Sequence, residues 1–386
     1  MRLPDNEEAR KDLALKIVLL LFAIALNALE FFIPRLPFFP WLKPGLANII
    51  TMIWIIRYGT ADALVYSIVR SWIAGCYFGF SLVSLSLALS GGLISTLIMG
   101  ALWATLGNRR VMGCIGIGVA GALFHNVGQL LAVYVLLTTN DRVFYQFPVM
   151  ALASVLFGGC VGALVPRVMR VFDRTFDGQY PPQVALPTRD RSPKRGETAI
   201  TIVLFTLSFV LVFVHSTVAL SIIATGTALA LLIMFKGAFS LVFRPLFRFW
   251  ALFLFIAFVY CILPYGTRLE KLSFLTHESV TATVQQWLRL YTWLALSFIL
   301  TRYRFHIVLF TLLTRILRQW EVTLSAGLFA FEFFPLVAQI GKKRGKAFFR
   351  NLIKHPIHSA QEGIGGLYEE IVEKVQQGED ITIFKK

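Results

Sequence analysis

The stretch GVAGALFHNVGQLLAVYVLL, residues 118–137, has the length and apolar character of a bilayer-crossing helix, yet it carries His125, Asn126 and Gln129 near its middle. Crossing hydrocarbon takes about 20 apolar residues, and polar side chains kept inside a membrane usually hold something. On a helix His125 and Gln129 stand one turn apart, on the face of Gly121, while Asn126 points about 100° away. Comparable apolar segments flank the stretch at 13–33, 45–57 with a short continuation, 60–77, 81–106 and 144–168, its own segment being 111–137. After a polar break they resume at 198–215, 217–235, 249–264, 285–301 and 321–340. Of 386 residues 57% are hydrophobic and 15% charged, too little charge for a water-soluble chain of this length. The reading is an all-α polytopic integral membrane protein of about ten transmembrane helices in two units.

The net charge of +16 is not spread as a nucleic-acid-binding surface would need. Basic residues gather in alternate loops, which is the positive-inside pattern. Arg167, Arg170, Arg174, Arg189, Arg191, Lys194 and Arg195 place the region 167–195 in the cytoplasm. Arg57, Arg109, Arg110 and the amino-terminal Arg10 and Lys11 then fall on the same side. Both termini are expected to be cytoplasmic, in a cytoplasmic (inner) membrane, and the loop holding Arg35 and Lys43 is the exception to the bias. The first apolar segment has no small-x-small cleavage pattern before Pro34, so it reads as a span rather than a removed signal. Cys76, Cys114, Cys160 and Cys261 sit in apolar segments without CxxC spacing and read as packing residues.

The polar interval from Asp173 to Glu197, rich in proline and charge, reads as a cytoplasmic linker between units at 1–172 and 198–386. The first unit, with six expected helices, concentrates small residues: Gly91 and Gly92, then Gly113, Gly116, Gly118 and Gly121, then Gly158 and Gly162. Such residues let membrane helices approach closely. The second unit is richer in Phe and ends in a basic amphipathic stretch, 341–356, suited to the lipid surface.

Several side chains could carry chemistry. Glu30 lies near the outer end of the first span, where a carboxylate can also simply reach the headgroups. Lys43 follows Pro40, precedes Pro44 and Gly45, and stands beside a helix start that suits an anion. Arg70 falls in mid-span, where a guanidinium costs roughly 2.5–3.5 kcal/mol on insertion scales and should face the protein interior. Ser90 and Ser95 flank the glycine pair, although serine in such helices often bonds its own backbone. The chain has no DDxxD, no GxxxxGK[ST], no HExxH and no Cys/His cluster. A binding or transport protein without a catalytic cofactor or metal is therefore expected, rather than an enzyme.

The ordered series KPGLAN (43–48), Arg70, SLALSGGLIS (86–95) and GALFHNVGQL (121–130) resembles the Gx membrane family. That family is also labelled heptaprenyl diphosphate synthase component I, and it is similar to the substrate-binding S components of energy-coupling factor (ECF) transporters. More faintly, LTRYRFHIVLFTLLTRIL (300–317) and FEFFPLVAQIGKKRG (331–345) resemble the T component of such transporters. The segment KKRG departs from the usual ATPase-coupling signals. A fusion of two such halves looks most like the flavin transporters associated with Rnf-type electron-transfer systems. The resemblance implies FAD as the transported substrate, delivered for flavinylation outside the cytosol. It implies substrate-binding roles for Glu30, Lys43, Asn48, Arg70, Ser90, Ser95, His125, Asn126 and Gln129. Lys43 and Arg70 would neutralise the diphosphate, while Trp41, Trp54 or Phe124 would stack on the ring. A separate ATPase or an Rnf-type complex is a further implied partner. Two alternatives remain at this point: a membrane accessory of isoprenoid or quinone synthesis, and a structural subunit of a membrane redox complex.

Overall fold

The computed structural model describes residues 7–32, 44–78, 82–107, 109, 111–138, 141–176, 195–235, 239–262, 268–269, 272–302, 308, 311–313, 316–331 and 334. Lys43, Trp41 and the basic stretch at 341–356 lie outside them. The first unit holds α1 (Glu7–Phe32), α2 (Asn48–Phe78), α3 (Leu82–Leu102), α4 (Cys114–Val133) and α5 (Phe147–Phe176). The second holds α6 (Arg195–Val210), α7 (Thr217–Met234), α8 (Phe239–Arg248), α9 (Trp250–Ala257), α10 (His277–Arg302) and α11 (Glu321–Phe331). Among the described residues the one strand pairing is a short antiparallel hairpin, β1 (Arg268–Leu269) with β2 (Leu272–Thr276). The fold is the expected all-α membrane architecture. Among the described residues five helices are long and apolar enough to cross a bilayer: Asn48–Tyr77, Leu82–Gly107, Cys114–Leu137, Asp141–Asp173 and Thr217–Met234.

The two apolar segments read at 45–57 and 60–77 run on as one element, broken at Gly59. Its φ of 83° is one that glycine alone adopts without strain. The first segment, about ten residues, covers only about 15 Å, so the second must do most of the crossing. Against both of them packs α1, whose Leu19, Leu20 and Ile24 are sealed with Ile50, Ile53, Trp54 and Tyr66.

Glycines let α4 press its backbone against a neighbour on each side. A Cβ at Gly118 would stand 2.5 Å from the Gly158 carbonyl oxygen, and one at Gly128 would stand 2.6 Å from that of Ser90. Larger residues there would separate the helices, so the glycine runs seen in the sequence set the packing of α3, α4 and α5.

The second unit meets the first along α2 and at the start of α3. The Lys16 ammonium pairs with Asp62 at 3.0 Å and Asp12 at 3.3 Å, and donates to the Thr323 hydroxyl at 3.2 Å. Thr323 of α11 in turn donates to Asp62 at 2.6 Å, and the Trp54 indole donates to the same carboxylate at 3.0 Å. Farther along α2, Trp72 stacks on Phe205 with centroids 6.2 Å apart, and Tyr77 packs on Phe331 and Phe334. The Leu82 amide at the start of α3 donates to Ser297 of α10 at 2.9 Å.

Removing one partner strands a buried charge, whereas removing both does not. Asp62→Asn leaves the buried Lys16 ammonium only the exposed Asp12 as an ion-pair partner and should destabilise the protein by about 2 kcal/mol, and the double variant Lys16→Met/Asp62→Leu should recover part of that loss. Thermal unfolding in detergent measures both; a double variant less stable than Asp62→Asn would contradict the pairing.

Candidate functional site

Successive residues on a helix point about 100° apart, so the Gly91–Gly92 pair lets α3 pack closely against each of two neighbours. A Cβ at Gly92 would stand 2.9 Å from Ser67 Oγ, 3.8 Å from Arg70 Nη2 and 3.9 Å from Ser71 Oγ, all on α2. A Cβ at Gly91 would stand 2.9 Å from His125 Cε1 and 3.0 Å from Gln129 Cγ, both on α4. Ser95, one turn beyond Gly91, is buried and lies 3.4 Å from the Cβ position of Gly121. The glycine pair of α3 is thus the common wall between an Arg70 group and a His125–Gln129 group.

Arg70 is 5% exposed, and its guanidinium carbon sits 5.8 Å from the centre of the Tyr66 ring. Tyr66 is held in turn by Trp54, their rings stacked 4.2 Å apart. Among the described residues no carboxylate pairs with Arg70. Its Nε makes no hydrogen bond, nor do Ser67 Oγ, Ser95 Oγ and Gln129 Oε1, although all are buried. A cation–π contact offsets only part of the cost of burying a charge. Arg70, Ser67 and Ser71, gathered beside Gly92, form a donor set that would bind an anion through charge-assisted hydrogen bonds.

The other residues singled out in the sequence go to different places. Asn126 turns to α5, where its amide donates to the Met150 carbonyl at 3.1 Å and to Ser154 Oγ at 2.9 Å. Ser90 donates to the Leu87 carbonyl of its own helix at 3.2 Å. Glu30 is buried near the end of α1, and Asn48 is buried at the start of α2, where its amide closes a turn onto the Gly45 carbonyl at 2.9 Å. Trp54 is sealed in the core beside Asp62, whereas Phe124 keeps 36% of its surface exposed. Ser67 and Ser71 escaped the sequence reading. Their spacing around Arg70, three before and one after, was the available signal, since it puts both serines on one face of α2.

All of these residues fall in one segment, and that segment has a recognisable likeness. Residues 19–168 match the model of the family described as heptaprenyl diphosphate synthase component I. No curated protein and no solved structure matches the chain.

The two central polar residues of α4 should separate by phenotype. Asn126→Ala removes two buried hydrogen bonds between α4 and α5 and should cost about 2 kcal/mol. Gln129→Leu removes a side chain whose oxygen has no partner and should leave stability unchanged or higher. Unfolding midpoints of the two variants, measured without added solute, provide the check.

Proposed function

We propose that the chain is a membrane transporter whose first unit binds an amphiphilic anionic solute at Arg70. The flavin FAD, moved across the cytoplasmic membrane for extracytosolic flavinylation of Rnf-type proteins, is the reading favoured by the resemblance of its motifs. The observation that carries the binding role is the buried guanidinium with hydroxyl donors packed beside Gly92 and no carboxylate partner among the described residues. Arg70, Ser67 and Ser71, brought together by the close approach of α3 at Gly92, would receive the phosphate charge. His125 and Gln129, across the glycine wall, offer the donors and acceptors that orient a heteroaromatic edge. Ser95 adds a hydroxyl on the same helix. In this reading α2 also carries the mechanical link. Its Asp62, Trp72 and Tyr77 touch the second unit, so a shift of α6 or α11 would move the helix that bears Arg70.

The family description supports a second reading, a membrane accessory of isoprenoid or quinone synthesis that binds a prenyl diphosphate. The same donor set suits that diphosphate, so the two readings differ in what lies beyond the phosphate.

Purified protein should be titrated with FAD, FMN, riboflavin and a prenyl diphosphate, then again as Arg70→Ala, His125→Ala and Gly92→Ala. The transporter reading expects FAD to bind, with at least a tenfold loss for Arg70→Ala, roughly the effect of one charge-assisted hydrogen bond. Gly92→Ala should act similarly, because its methyl would meet Ser67 Oγ at 2.9 Å and displace the donors beside Arg70. Binding of the prenyl diphosphate alone would favour the second reading. Flavin binding that survives both Arg70→Ala and His125→Ala would place the site elsewhere.

A further inference from the structure

At the opposite face of α4 from the glycine wall's partner helix α3, a groove of about 490 Å³ runs between α4 and α5. Residues 113–116 form one side, and Gly162, Pro166, Arg167 and Arg170 form the other. Small residues keep it open, and it meets the exposed apolar surface at Ile115 and Leu164. Arg167 and Arg170 each donate to a carbonyl of their own helix, at 3.4 and 3.3 Å, which leaves most of both exposed guanidinium groups available. Arg109, also exposed, lies four residues before Gly113. The one acidic side chain of α5, Asp173, is paired with Arg57. The groove is therefore apolar within and cationic at its mouth. At its base, Gly113 caps α4 without a side-chain hydrogen bond, and the first turn holds no acid.

We infer that this groove holds the headgroup of an anionic phospholipid. Its phosphate lies against Arg167 and Arg170, and its acyl chains run along Ile115 and Leu164. Charge and shape both point to this occupant. A basic recess between membrane helices, at the basic end of the bundle, meets the leaflet that carries anionic lipid under the positive-inside arrangement.

The full-length chain should be reconstituted in vesicles of equal parts phosphatidylglycerol and phosphatidylcholine and re-extracted. The retained lipids are then quantified by mass spectrometry. Phosphatidylglycerol should be enriched on the wild type, and Arg167→Gln/Arg170→Gln should lower the enrichment about fivefold per arginine removed. Gly113→Leu is the second variant. A Cβ at Gly113 meets nothing within 4 Å, so a leucine occupies the groove without displacing a neighbour, and it should also abolish the enrichment. Arg189→Gln/Arg191→Gln, an equal charge change in the linker, should leave it intact. The inference is overturned if the wild type shows no enrichment, or if neither groove variant reduces it. It is equally overturned if the linker variant loses as much, or if excess inorganic phosphate displaces the lipid, since that would make the site one for free phosphate.

Discussion

A guanidinium sealed between apolar helices needs an opposite charge, and Arg70 has none among the described residues. The surrounding packing keeps it there. Tyr66 lies against its cation, Trp54 braces Tyr66, and the sealed side chains of α1 hold Trp54 in place. These supports position the charge without neutralising it. Hydroxyls at Ser67 and Ser71 stand beside it, and Gly92 lets α3 press close against all three. A site of this kind is more costly to the empty protein than to the occupied one, so an anion that binds there also stabilises the fold.

The same helix serves two ends. Above the break at Gly59, the later segment of α2 carries Arg70 on a side that meets α3, and Asp62, Trp72 and Tyr77 where it meets the second unit. Helices that pack through glycine backbones, as α3, α4 and α5 do, leave little room for independent motion. The contacts of α2 with α6 and α11 are polar and aromatic and can be rearranged at lower cost. This division suits a rigid binding unit driven by a second unit, and it follows from where the glycines and the ionisable residues fall along the chain.

Much of this was legible in the sequence. Apolar lengths, glycine spacing and the charge bias between loops are local properties, and they sufficed for the class of fold and for the close packing of α4. Arg70, His125 and Gln129 were legible for the same reason, because polar groups in an apolar run are costly wherever they fold. Partners were not legible. Nothing local distinguishes Asn126, which staples α4 to α5, from Gln129, which faces the glycine wall, although only three positions separate them. Ser67 and Ser71 looked like ordinary membrane serines until α3 brought Gly92 against them. The Lys16–Asp62–Thr323 cluster joins residues up to 307 positions apart, a separation that no spacing rule reaches.

The central claim is that Arg70 anchors the anionic end of the solute, whichever solute it is. The ratio of affinities for a phosphorylated compound and its dephosphorylated form tests this most directly, using FAD against riboflavin and a prenyl diphosphate against its alcohol, in wild type and in Arg70→Gln. The account predicts that the wild type prefers the phosphorylated member of the pair it binds, and that Arg70→Gln brings that ratio close to one. A preference that persists undiminished in Arg70→Gln would contradict it.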